Sequence, residues 1–551
     1  MRPCQGRDRE FESRRVRQID NKKTLPNQGF FCPVPLGDRL HHFPGIIYGY
    51  IRTNPTILVP GDFRMPSSQN RRLWMVLMLF AILITATYPT RAALPPVMDH
   101  FVYLPLIINT SPSTRKINIP YFGQDNVTDQ HFSEMALFWF GRISPSDNYS
   151  DVRIGYNDTG LVLLLSIFDR LLWYDPTPSP ADLTRWDSVT LYLARNNLIN
   201  ENAYRFTAQI NSWEPNRLNW QLSERGSTTG WNITPLPFTT TTGLRWEDYT
   251  TGGLNNNQNN RGWVAAYSIP FTSLGLSSKP VQGAEWNMAL VLHDRDDANG
   301  TVILENSWPE DLQPGQPSTW GRLHFGLPSY TPSPLTPAGT VVIRNKLNGA
   351  VVPDAAVGGT TGNLCPGDPQ YIWNNWANEN YGSSSDLNIQ NQSDLADWPC
   401  FSKYYVNFPL NSIPANKIIL SATLTLYHWG NSGTLALAQP SYIHVYTVDE
   451  SWNESAITWN TAPLAYENVS QAWVDPAPPC GGAGQLNWPC TPRSWDLTRA
   501  AAEAYQAGKP LSLALYSSDQ DYHSGKFFTT SNVDDWDASG RPTLVIKWGN
   551  P

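Results

Sequence analysis

The sequence predicts an all-β protein: two tandem antiparallel β-sandwiches of jelly-roll type, joined by a Pro-rich linker. Three observations carry this reading. Short alternations rich in β-branched and aromatic residues recur along the chain. Clusters of Asn, Asp and Gly separate them, and 46 prolines and 38 glycines are spread through the 551 residues, which breaks up long helices. The length itself suits two or three domains, not one core.

The N-terminal region stands apart. Arg71 and Arg72 precede an apolar run from Leu73 to Ala86, and small residues follow at Thr90, Ala92 and Ala93. A positive start, a short apolar centre and a small-x-small end describe a secretory signal peptide over 65–92. A membrane-spanning helix needs about 20 apolar residues, and no other stretch of the sequence comes near that. Residues 1–64 show no strand or helix periodicity and read as a non-translated or disordered leader, with translation starting at Met65.

Export sets the charge and the redox chemistry. The first 92 residues hold 14 of the 39 Lys+Arg and 6 of the 47 Asp+Glu, so 93–551 keep 25 basic and 41 acidic groups, net −16. That balance disfavours nucleic acid, anionic membranes and anionic polysaccharides as partners. Four cysteines remain beyond the signal peptide: Cys365, Cys400, Cys480 and Cys490. In an oxidising compartment they read as two disulfides, and Cys365–Cys400 with Cys480–Cys490 closes the shortest loops. A zinc site would want CxxC pairs or nearby histidines, and neither is present.

Strand signals fill the first half, 113–326: "SDVRIGYN", "LVLLLSIFD", "SVTLYLAR", "YRFTAQINSW", "GWVAAYSIPF" and "WNMALVLHD", with "NDTG", "NNNQNNRG" and "DDANG" as turns. "LPSYTPSPLTPAG" (327–339), with four prolines, is the linker. In the second half, 340–549, Ala422, Leu424 and Leu426 alternate with Thr423, Thr425 and Tyr427, so one face of that strand is apolar. Only "LTRAAAEAYQAGK" (497–509) looks helical, ending at Gly508.

The ordered phrases "RWDSVTLYL" (185–193), "GWVAAYSIPFTSLGL" (262–276), "GAEWNMALVLHDRDDANGTVILENSW" (283–308) and "STWGRLHFG" (318–326) make the first half resemble family 9 carbohydrate-binding modules. The resemblance implies two tryptophans that clamp a sugar. Trp308 in "ENSW" takes the place of one. The place of the other falls at Thr184, so Trp186 or Trp173 is the substitute. "HDRDDANG" (293–300) lacks the glycine and flanking helices of an EF-hand, since Asn299 stands at the glycine position. It reads as a hairpin turn that offers Asp294, Asp296 and Asp297 to a structural Ca²⁺. No other cofactor is called for.

The second half carries "DAAV" (354–357), "NYGSSSDLNI" (380–389), "IHVYTVDESWNESAITWNTAP" (443–463), "WDLTRAAAEAYQAG" (495–508) and "RPTLVIKW" (541–548). It resembles the DNRLRE domain, carbohydrate-binding module family 96. Within "SWNESAITW", Trp452 and Trp459 read as packing residues, and Glu454 reads as the group that holds its own turn through backbone amides.

Nucleophile elbows, H-E-x-x-H, Walker loops and C-x-x-C pairs are absent from the sequence, and its histidines are scattered. The expected function is therefore a secreted or cell-surface, non-catalytic protein whose two modules bind a polysaccharide or glycan. The alternatives are a structural or adhesive matrix protein, and an accessory part of a polysaccharide-degrading enzyme.

Overall fold

The computed structural model describes residues 115–211, 220–245, 253–303, 305–331, 334–361, 371–392, 400–481 and 488–551. The expected leader, the signal peptide and Cys365 lie outside the described residues. Strands β1 (Lys116–Ile119), β2 (Ala136–Ser144), β3 (Asp147–Tyr156), β4 (Gly160–Phe168), β5 (Ser188–Ala194) and β6 (Ala203–Gln209) open the first sandwich. It continues with β7 (Gln221–Ser227), β8 (Gly230–Ile233), β9 (Thr239–Leu244), β10 (Trp263–Pro270), β11 (Glu285–His293), β12 (Asn306–Trp308) and β13 (Gly321–Phe325). One sheet is antiparallel in the order β2-β3-β4-β10-β9. The facing sheet runs β13-β11-β5-β6-β7-β8, with β12 also on β11 and β1 parallel to β13.

The second sandwich comprises β14 (Gly339–Arg344), β15 (Asp354–Val357), β16 (Asp386–Gln392), β17 (Cys400–Phe408), β18 (Ile418–Asn431) and β19 (Ser441–Val448). Strands β20 (Ala465–Val474), β21 (Thr491–Asp496), β22 (Leu511–Ser517), β23 (Lys526–Thr529) and β24 (Thr543–Gly549) complete it. Its inner sheet is β15-β17-β22-β19-β20. Its outer sheet is β14-β24-β18-β21, extended by β23 on β18 and β16 on β23. Strand β16 turns the corner between the sheets, because Gln390–Gln392 pair with β17 instead. The predicted helix is Thr498–Gln506, closed by Gly508 at φ +67°. Along β18 the alternation holds: Ala422, Leu424 and Leu426 are buried, and the residues between them are half-buried.

The apolar run Leu161–Ile167 in β4 needs more than one core. Leu161, Leu163, Leu165 and Ile167 face β5 and β11 inside the first sandwich. Val162 and Leu164 on the opposite face are buried too, among Val127, Met135 and Ala266. A strand apolar on both faces is covered on both faces.

What covers the rest of that sheet is the second sandwich. Leu137, Trp139, Tyr149 and Phe168 form one buried cluster with Phe401, Tyr405, Tyr446, Trp459 and Tyr516. At its centre the Lys403 ammonium lies 3.7 Å from the Trp459 ring and 4.1 Å from that of Trp139. Lys403 Nζ donates to Tyr149 Oη at 2.7 Å, and Tyr149 and Tyr516 both donate to Asp151, at 2.6 and 2.9 Å. The Arg245 guanidinium covers Phe168 of one sandwich and Phe401 of the other, and burial pulls its pKa down to about 9. Burial likewise pushes Lys403 well below its usual value, against the opposing pull of Asp151.

The backbone joins at the same seam. Lys116 of β1 pairs with Glu467 of β20, and Asn118 and Asn468 exchange three hydrogen bonds of 2.8–2.9 Å. The described part of the proline segment is pinned as well, with Ala338 N donating to Trp548 O at 2.8 Å. Both sandwiches fall within one compact unit.

Cys480 and Cys490 form the expected disulfide. Cys400 is disulfide-bonded, and Cys365, its expected partner, is among the residues not described. Trp459 is buried, as expected for packing, but its neighbours Tyr149 and Trp139 belong to the other sandwich. Glu454 requires a correction. Its Oε1 accepts the backbone N–H of Asp354 in β15 at 3.0 Å, while Asn453 Oδ1 caps the turn through Ser455 N at 2.8 Å. The carboxylate ties two distant segments together, and the asparagine beside it holds the turn.

Full-chain unfolding checks these contacts. Asp151→Asn should cost about 3–5 kcal/mol, because it leaves buried cations uncompensated; an unchanged denaturation midpoint would refute a central role for this carboxylate. Glu454→Gln should be nearly silent, Glu454→Ala should cost about 1–2 kcal/mol, and Trp459→Ala about 3–5 kcal/mol.

Candidate functional site

The three expected clamp tryptophans do not stand as an exposed pair. Trp308, at the end of β12, is 2% exposed and packs on Phe138 with ring centroids 4.5 Å apart. Its indole fills the space at Gly321, where an added Cβ would come within 2.4 Å of the ring. Trp308 is therefore a core residue, since the two sheets close over it. Trp173 is buried as well, and its backbone N–H donates to Asp187 Oδ2 at 2.6 Å. Trp186 is half-buried and lies against the same core and the turn at Gly300.

Thr184, the position where the resemblance asks for a tryptophan, does line a pocket. It is a cavity of ≈170 Å³ on the outer face of β5, β6 and β7, bounded by Thr190, Tyr192, Arg205, Thr207, Glu224 and His293. Alternate residues of neighbouring strands point the same way, which brings these side chains to one face. Arg205 and Glu224, opposite each other on β6 and β7, form a two-pronged ion pair. Thr190 Oγ1 sits 3.2 Å from Thr207 Oγ1 and 2.9 Å from His293 Nε2. His293 Nδ1 is 2.8 Å from Glu305 Oε1, which also accepts from Arg295 at 3.2 Å. Burial would raise the Glu305 carboxyl, but the charges and hydrogen bonds of His293 and Arg295 outweigh it and hold the pKa near 2. The result is a fixed row of donors and acceptors on an open sheet face.

The acidic loop folds differently from its expected ligand set. Asp297 is a turn residue: its Oδ1 accepts Asn299 N at 2.8 Å and Thr301 N at 3.2 Å, and hydrogen bonds from the Thr301 side chain and the turn's backbone lower its pKa. Asp294 and Asp296 instead meet Asp169, at the end of β4, with carboxylate oxygens all within 4.8 Å of one another. Asp169 and Asp294 are buried. Burial, reinforced by the neighbouring carboxylates, raises both well above the ordinary range, and burial raises Asp296 to about 6. One oxygen of Asp169 and one of Asp294 have no hydrogen-bond partner. Asp187, also buried, is fully engaged by the backbone N–H groups of Trp173 and Arg295. Converging, unpartnered carboxylate oxygens fit a hard cation such as Ca²⁺. Asp169 escaped sequence reading because it lies in "SIFD", 125 residues before Asp294.

No helix of the described residues is long and apolar enough to cross a membrane. No curated protein matches the chain. Among solved structures, a family 9 carbohydrate-binding module from Caldicellulosiruptor kristjanssonii, in complex with cellotriose, is similar at 16% identity. The similarity covers 40% of this chain and 100% of that one, with a TM-score of 0.26. A family 9 module from the same organism in complex with glucose gives the same identity and coverage and a TM-score of 0.27. In the second sandwich, residues 361–547 match the model of carbohydrate-binding module family 96.

Proposed function

We propose that this is an exported, non-catalytic carbohydrate-binding protein in which two β-sandwich modules act as one rigid body. The observation that carries the reading is the match of 361–547 to carbohydrate-binding module family 96. The polar pocket over β5–β7 supports it, because saccharide hydroxyls ask for donors and acceptors held in place beforehand. Asp169, Asp294 and Asp296 hold a structural Ca²⁺ that ties the end of β4 to the segment after β11, keeping the sheet edge beside the pocket in position.

A glycan array followed by calorimetry on residues 93–551 tests the binding. The expected result is saturable binding to at least one polysaccharide or oligosaccharide, with no reducing sugar released. The double variant Arg205→Ala/Glu224→Ala removes both charges of the pair and should weaken pocket binding at least tenfold, roughly 1.4 kcal/mol. Failure to bind any glycan would overturn the reading.

The cation reading has its own sign. A carboxyl raised in the folded state adds stability below the ordinary carboxylate range, at about pH 4, which is lost as pH rises through the raised value, about 6 for Asp296. In chelator, the melting temperature should therefore fall as pH climbs across that window. Ca²⁺ should restore it at pH 7, and Asp169→Asn should abolish the restoration. A melting temperature indifferent to Ca²⁺ at pH 7 would refute the site.

A further inference from the structure

A second cleft lies between the two sandwiches, set off from the β5–β7 pocket by the His293–Glu305 pair. Its volume is ≈920 Å³, ample for several sugar rings. The first sandwich supplies Arg142, Ser144 and Asn306, and the second supplies Asn378, Asn460 and Thr461. Trp139 and Trp459, the two indoles that flank Lys403, also line it.

The walls are fastened to each other. Asn460 Oδ1 accepts Ile143 N and its Nδ2 donates to Ile143 O, both at 2.9 Å, so one amide side chain of the second sandwich pairs with the backbone of the first. Arg115 ion-pairs with Glu310 at 2.6 Å and donates to the carbonyls of Leu464 and Ala465 at 3.1 and 3.0 Å. A cleft held this way needs no closing motion to present its groups, which lowers the ordering cost of binding.

Its chemistry selects a ligand class. Planar amides, hydroxyls, a guanidinium and carboxylates offer both donors and acceptors to a polyhydroxylated chain. Four carboxylates (Asp147, Glu305, Glu310, Asp449) face two guanidinium groups (Arg115, Arg142), so the lining is net negative and repels uronates and sulfated sugars.

We propose that this seam cleft binds a neutral oligosaccharide through both sandwiches at once, an inference that rests on the carbohydrate-binding reading above. The site exists only in the packed pair, and the ligand spans residues as far apart in sequence as Arg142 and Asn460, 318 positions.

The test is calorimetry on residues 93–551 with cellotetraose, xylotetraose and mannotetraose, and with tetragalacturonate as the anionic counterpart. Binding of at least one neutral probe is expected, with tetragalacturonate at least tenfold weaker. Ser144→Trp fills the cleft at its rim, and Arg142→Ala removes an exposed donor. Each should weaken the neutral probe about tenfold or more at an unaltered melting temperature. Should both variants bind within twofold of the parent while Arg205→Ala/Glu224→Ala loses binding, the inference fails and the carbohydrate reading stands. Equal binding of tetragalacturonate would also overturn it. A parent that binds no glycan sinks both.

Discussion

The structure turns on one buried carboxylate, Asp151. It is 1% exposed, sits on β3 at the seam, and accepts hydroxyl bonds from Tyr149 of its own sandwich and Tyr516 of the other. Its charge acts on three buried cations: Arg153 and Arg245 from the first half and Lys403 from the second. An isolated ion at this depth would carry a desolvation penalty of several kcal/mol. Here the opposing charges share one enclosure, and aromatic faces line the remainder of the Lys403 ammonium's surroundings. Across the seam, Asp151 of the first half is the counter-charge of Lys403 in the second, so losing the carboxylate would leave that ammonium buried without it.

The described part of the proline segment is fastened too, with Ala338 N donating to Trp548 O of β24. The sheet β2-β3-β4-β10-β9 carries Leu137, Trp139, Phe168, Val162 and Leu164 on the face turned away from its own core, beside the charged groups at Asp151. Large exposed apolar patches are disfavoured in monomers. Two modules in fixed relation then present their surfaces together: the polar pocket on the outer face of β5–β7 and the composite cleft at the seam.

The acidic cluster shows the same logic on a smaller scale. Asp169, Asp294 and Asp296 come from two strand ends that meet at one edge, and their repulsion is tolerable only with protons or a cation between them. Next to Asp296 in the chain, Asp297 meets the backbone of its own turn and keeps its charge at no such cost. Chemically identical side chains in one loop thus serve as metal-ligand candidate and as turn cap.

Local periodicity determined the fold class, the strands, the one longer helix and the Cys480–Cys490 disulfide, because each depends on near neighbours: alternation along β18, a glycine at 508, a ten-residue loop. It also placed Trp459 as a packing residue and pointed to Asp294 and Asp296. Tertiary structure alone decided the partners. Which face of Trp308 is covered, that Glu454 binds the amide of Asp354, that Asp169 joins the acidic pair, and that Lys403 lies among rings from both halves all follow from contacts over 100 residues or more of chain. The run "LVLLLSIF" held a trace of this, since both its faces are apolar, and a strand can afford that only when something packs on each side. Sequence spacing registers that a second surface must exist; only the folded chain supplies it.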